Sequence, residues 1–118
     1  MYSIKVIQQF CAAHRLPGIP ICENLHGHTW KVEIEIQSPN LPKDGMLFNF
    51  SEIKEWMKKM LPDHRYMNEV YPFSSSEFPP TAENIAYWLY NCAVRRYSMV
   101  RKVTVWESDT ACASYWEE

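Results

Sequence analysis

The chain has 118 residues, 47% of them hydrophobic and 22% charged, with a formal net charge of −2. That length holds one domain with a real core and leaves no room for a second, so residues 1–118 are expected to form a single unit. Lysines and arginines are scattered apart from the pairs Lys58-Lys59, Arg95-Arg96 and Arg101-Lys102, no apolar run is long enough to cross a bilayer, and Met1-Tyr2-Ser3-Ile4-Lys5 lacks a signal-peptide layout; a cytoplasmic protein with no nucleic-acid or membrane partner is expected. Residues 2–14 read as a strand, with Ile4, Val6, Phe10, Ala12 and His14 on one parity. Residues 15–25, with Pro17, Gly18 and Pro20, read as a loop. Residues 26–37 give the clearest period-2 signal. His26, His28, Trp30, Val32, Ile34 and Ile36 share one face, and Lys31, Glu33, Glu35 and Gln37 share the other.

After a loop marked by Pro39, Asn40, Pro42 and Gly45, the period changes. Ile53, Trp56, Met57, Met60 and Leu61 fall on one stripe of a helix over Ser51–Leu61, capped by Ser51 or Asn49 and followed by Pro62. Residues 62–80 read as irregular. Thr81 is a good N-cap for a second helix running to about Arg96, with Glu83 in its first turn and Arg95-Arg96 at its end, where the helix dipole favours those charges. Residues 101–107 and 111–116 read as two more strands around Ser108-Asp109-Thr110. The order ββααββ predicts an α+β domain with a four-stranded, mostly antiparallel sheet and both helices on one face. The other face is polar, and two long unpaired edges invite pairing between subunits.

Three of the four histidines, His14, His26 and His28, lie in register with the apolar faces of their strands, at the ends nearest the 15–25 loop. An antiparallel pairing would converge them on one metal ion, and Gly27 is expected to let the backbone pass close between the last two. Three imidazoles with an open position are the pattern of catalytic zinc, although iron, copper or nickel fit the same ligand type. Cys22, four residues before His26, reads either as a fourth ligand or as a nearby acid/base. The other three cysteines, Cys11, Cys92 and Cys112, read as buried small hydrophobes. Asp63-His64 reads either as a polar loop after the first helix or as a proton-transfer partner. Glu107 ends an apolar strand on the parity of Val103 and Val105, and so reads either as a strand-end residue in solvent or as an acceptor for a ligand with two adjacent N–H donors.

Together these residues resemble the family of 6-pyruvoyl-tetrahydropterin and 6-carboxy-tetrahydropterin synthases. The resemblance covers nearly the whole chain. It rests on six stretches in family order: Ala12-Ala13-His14-Arg15-Leu16, Cys22-x-x-x-His26-Gly27-His28, Gly45-Met46-Leu47-Phe48-Asn49-Phe50, Asp63-His64-Arg65-Tyr66-Met67-Asn68, Pro80-Thr81-Ala82-Glu83-Asn84 and Val105-Trp106-Glu107. It implies zinc on His14, His26 and His28, a catalytic thiol at Cys22 and acid/base partners in Asp63 and His64. It also implies that Glu107 anchors the pterin's amino-pyrimidine edge and that Thr81 assists from a neighbouring subunit.

The implied fold is the tunnelling fold, in which three four-stranded sheets join edge to edge into a barrel and two such trimers stack as a hexamer. Active sites there lie between subunits. The implied substrate is 7,8-dihydroneopterin triphosphate. One branch eliminates triphosphate to give 6-pyruvoyl-tetrahydropterin; the other also cleaves the side chain, giving 6-carboxy-tetrahydropterin and acetaldehyde toward queuosine. The short spacing from Cys22 to His26 resembles the second branch, whereas Asn49-Phe50 resembles the animal form of the first. Arg15, Lys31 and Arg65 are candidate partners for the triphosphate, and nothing in the sequence selects among them. Two other readings remain open: a catalytically silent pterin-binding member of the fold, and a structural zinc domain with Cys22 as fourth ligand.

Overall fold

The computed structural model describes all of residues 1–118. Its frame is a hairpin of two 13-residue strands, β1 (Tyr2–His14) and β2 (His26–Ser38). They pair antiparallel without interruption from Tyr2 opposite Ser38 to His14 opposite His26. The alternation read from β2 is the observed burial: Trp30, Val32, Ile34 and Ile36 are wholly buried, while Lys31, Glu33, Glu35 and Gln37 stay half-exposed on the other face. β4 (Val100–Ser108) pairs antiparallel with β2, and β5 (Ala111–Tyr115) with β4.

The sheet differs from the expected four antiparallel strands. Its order is β3-β1-β2-β4-β5, with a fifth strand, β3 (Arg65–Tyr66), parallel to β1 beside Ala12 and Ala13. Two residues are too short to show a periodicity, so β3 lay inside the stretch read as irregular. A single 3-10 turn, Met67–Glu69, follows it.

α1 runs Phe50–Met60, one residue earlier than the pattern suggested, because Asn49 supplies the cap: its Oδ1 accepts from the Ser51 N–H at 2.9 Å. α2 runs Ala82–Arg96. Ile53 and Met57 of α1 and Ile85, Ala86, Leu89 and Ala93 of α2 join the inward residues of β1, β2 and β4 in one core. The cysteines depart from expectation. All four are free, Cys11 and Cys112 are exposed and Cys22 and Cys92 are half-buried, so none is a core residue. No helix is long and apolar enough to cross a membrane.

Candidate metal centre and surrounding site

The hairpin register sets the geometry of the three histidines. His14 stands opposite His26, and Ala12 opposite His28. The imidazole centroids are 4.5 Å apart for His14 and His26, 5.1 Å for His14 and His28 and 4.9 Å for His26 and His28. One ligand nitrogen from each ring lies within 4.8 Å of the others. Trp30 forms the floor, edge-on to His14 at 5.0 Å and to His28 at 5.3 Å, with its Nε1–H donating to the Ala12 carbonyl at 3.2 Å.

Two main-chain carbonyls orient the rings. His14 Nδ1 lies 2.8 Å from the Pro80 carbonyl oxygen, and His26 Nδ1 lies 2.7 Å from that of Asn24. A carbonyl only accepts, so each Nδ1 carries a proton, which makes Nε2 the ligand atom of a neutral ring in this orientation. This is the outer-shell arrangement typical of metal-binding histidines. Neither carbonyl was foreseeable, since main-chain acceptors leave no side-chain signature in the sequence.

The Nε2 atoms of His14 and His28 are buried and have no hydrogen-bond partner. Orphaned buried nitrogens are costly. Glu107 Oε1 approaches His28 Nε2 at 3.5 Å, too far for a good hydrogen bond. Burial pushes the pKa of both His14 and His28 down, although the Pro80 carbonyl and Glu107 pull back on His14 and Glu107 pulls back on His28. Both rings are therefore biased toward the neutral form a metal requires. The three histidines fit a metal ion.

The remaining residues are distributed around this cluster. Glu107 stands inward at the cluster's edge, its side chain 35% exposed, so it is neither fully in solvent nor fully buried. Cys22 is half-buried in the 15–25 loop, where its carbonyl accepts from the Leu16 N–H at 2.6 Å. The ligand group consists of the three histidines without it.

Asp63 and His64 come to the same end of β1 by way of β3. Asp63 Oδ1 accepts from the Cys11 N–H at 2.8 Å, while Asp63 Oδ2 lies 3.5 Å from His64 Nε2. His64 adopts φ 58°, which turns the chain into the parallel pairing, and its side chain is 82% exposed. His64 and Arg65 line a cavity of about 590 Å³ together with Cys11, Gly27, His28 and Thr29. His28 thus belongs to both the histidine cluster and this cavity, whereas Cys22 and Glu107 do not line it. The expected close backbone approach at Gly27 is not found. A Cβ there would meet only the Ala12 carbonyl oxygen, at an ordinary 3.8 Å, so the glycine instead leaves the cavity clear.

Thr81 is half-buried and caps α2, its Oγ1 accepting from the Asn84 N–H at 3.1 Å. Thr81→Ala is expected to lower stability by about 1 kcal/mol in urea denaturation. Because Pro80 immediately precedes the cap and holds His14, metal affinity should weaken too, by roughly tenfold. An unchanged denaturation midpoint and metal affinity would contradict this coupling.

Comparison with known proteins agrees with the geometry. The sequence model of the family described as 6-pyruvoyl tetrahydropterin synthase matches residues 3–118. The 6-carboxy-5,6,7,8-tetrahydropterin synthase of Haemophilus influenzae is 30% identical over 142 aligned positions, covering 99% of this chain and 100% of the relative. The 6-pyruvoyl tetrahydrobiopterin synthase of Poecilia reticulata is 25% identical over 130 positions, covering 95% of this chain and 88% of the relative. Among solved structures, Caenorhabditis elegans 6-pyruvoyl tetrahydropterin synthase superposes with a TM-score of 0.86 at 24% identity, over 99% of this chain and 96% of that one, and so shares the fold. The family model and the Haemophilus influenzae relative place the chain among the tetrahydropterin synthases, and the histidine cluster is consistent with that class. The chain belongs to the 6-pyruvoyl tetrahydropterin synthase family, a family of lyases.

Proposed function

We propose that this protein converts 7,8-dihydroneopterin triphosphate and water to 6-carboxy-5,6,7,8-tetrahydropterin, releasing triphosphate and acetaldehyde, as a step toward queuosine. The observation that carries the reading is the cluster of His14, His26 and His28 with two buried, unpartnered Nε2 atoms. Family membership and the name of the Haemophilus influenzae relative support the activity. The short Cys22-x-x-x-His26 spacing supports the carboxy product.

His14, His26 and His28 would hold zinc. When bound, zinc supplies Lewis acidity toward side-chain hydroxyls and makes the adjacent C–H protons more acidic. Cys22, as thiolate, takes and returns a proton at the pterin side chain. His64, with Asp63 beside it, relays that proton to solvent, and its exposure suits that exchange. Glu107 accepts the two N–H donors of the amino-pyrimidine edge, and Thr81 adds a contact from a neighbouring subunit.

We further propose one catalytic unit over residues 1–118, set in the cytoplasm and assembled as a hexamer of two trimers. The edge of β1 from Tyr2 to Gln9 and the outer edge of β5 pair with no strand of this chain, which supports sheet-to-sheet assembly.

A second reading has its own support: the 6-pyruvoyl product, favoured by Asn49-Phe50 and by the Poecilia reticulata relative. Incubating the zinc-loaded protein with 7,8-dihydroneopterin triphosphate decides between them. Acetaldehyde formed in equal amount with triphosphate is the expected result. Triphosphate release without acetaldehyde would transfer the protein to the pyruvoyl branch, and no turnover would return it to the silent or structural readings.

A further inference from the structure

The segment bearing Asp63 and His64 is fastened to β1 by more than its two-residue ladder. The His64 N–H donates to the Cys11 carbonyl at 2.6 Å, and Arg65 and Tyr66 then pair with Ala12 and Ala13. The ladder stops where Met67 opens the 3-10 turn and buries its side chain. One residue later Asn68 supplies the missing rung. Its Oδ1 accepts from the Arg15 N–H at 2.9 Å, and its Nδ2 donates to the Arg15 carbonyl at 2.9 Å. A carboxamide offers an acceptor and donors side by side, so this side chain copies a peptide unit of the absent strand.

Arg15 is also where the thiol loop is tied down. Its Nε donates to the Glu23 carbonyl at 3.1 Å, and the next amide, that of Leu16, donates to the Cys22 carbonyl at 2.6 Å. The main chain at residue 15 is thus gripped by Asn68 on one side, while residues 15 and 16 grip residues 22 and 23 on the other. His14, a candidate ligand, immediately precedes this junction.

We propose that Asn68 is a positioning residue that couples the Asp63–His64 segment to the Cys22 loop through the main chain of Arg15. The proposal rests on the reading of Cys22, Asp63 and His64 as the reacting groups. Proton transfer needs donor and acceptor within hydrogen-bond reach, and a misplacement of about 1 Å costs on the order of a hundredfold in rate. Asn68 is half-buried and outside the ligand group, so its loss acts on the two segments rather than on metal binding. The coupling exists within one chain whether the two segments serve one active site or two neighbouring ones.

The test uses Asn68→Ala and Asn68→Asp in the zinc-loaded protein. Alanine removes both bonds. Aspartate keeps the acceptor for the Arg15 N–H but sets an anionic oxygen against the Arg15 carbonyl. With 7,8-dihydroneopterin triphosphate, kcat is expected to fall about 10- to 100-fold in both variants, with KM within about threefold of wild type and bound zinc unchanged. Amide hydrogen exchange is expected to quicken at Leu16 and at His64 together, on both sides of the junction.

Unchanged kcat overturns the proposal. So does exchange that quickens at His64 alone, and so does loss of zinc or of folding in both variants, which would assign Asn68 to the fold only. If Asn68→Ala alone fails to fold, Asn68→Asp decides. A wild-type protein that leaves the pterin unchanged would sink the enzymatic reading, and the exchange measurement would still decide the coupling.

Discussion

Replacing His14 by alanine is expected to strip the chain of its metal and to lower kcat/KM at least about a thousandfold. His14 is the wholly buried member of the cluster, and it touches every part of the centre. Its ring meets His26, His28 and Trp30 edge-on, its Nδ1 is held by the Pro80 carbonyl and its Nε2 is one of the two orphaned nitrogens. Alanine would take away a ligand, leave a void against Trp30 and strand the Pro80 carbonyl, so no neighbouring group can replace what is lost. Metal content per chain, measured beside kcat/KM, checks the prediction. A variant that keeps about one zinc per chain would show that His26 and His28 hold the ion with some other partner.

Cys22→Ala separates the two roles open to the thiol. If Cys22 is an acid/base, the variant keeps its zinc and loses about 10²- to 10⁴-fold in kcat, the usual range for a positioned proton-transfer group. That is the outcome expected, because Cys22 stands outside the group of three histidines that could hold the ion. The loop itself should survive the change, since Leu16 grips the main-chain carbonyl of residue 22 and Arg15 that of residue 23. Zinc lost together with cooperative folding would point instead to a fourth ligand in a structural site.

Much of this architecture was legible because it is written in repeats. The inward parity of His14, His26 and His28 could be read from strand alternation alone, and an antiparallel hairpin then had to bring them near one another. The helices were legible from the stripe of Ile53, Trp56 and Met57 and from the cap at Thr81; the first began one residue early because Asn49, rather than Ser51, caps it.

What escaped was short or belonged to the main chain. β3 has two residues and no period, and it depends on a positive φ at His64 that no pattern announces. The carbonyls of Pro80 and Asn24 have no side-chain signature. At Gly27 a His-Gly-His stretch suggests a close backbone approach, whereas the space beside it is open. Cysteine as a residue type is usually buried, whereas Cys11 and Cys112 lie on exposed positions of β1 and β5. The relation of Cys22 to Asp63 and His64 depends on bonds from residues 15 and 68, far apart in sequence and aligned only by the fold.

The continuous register of β1 and β2 also bears on the order of assembly. All three candidate ligands lie between residues 14 and 28, on one hairpin closed by a single loop. Closing so short a loop costs little entropy, and hairpins form in microseconds. By contrast, Pro80 and Glu107 come to the cluster from parts of the chain distant in sequence. Were the hairpin to form first, it would carry the whole candidate ligand set before its surroundings exist. A metal captured at that stage would pin the register and favour every later native contact, making the ion a template for folding as well as a constituent of the finished protein.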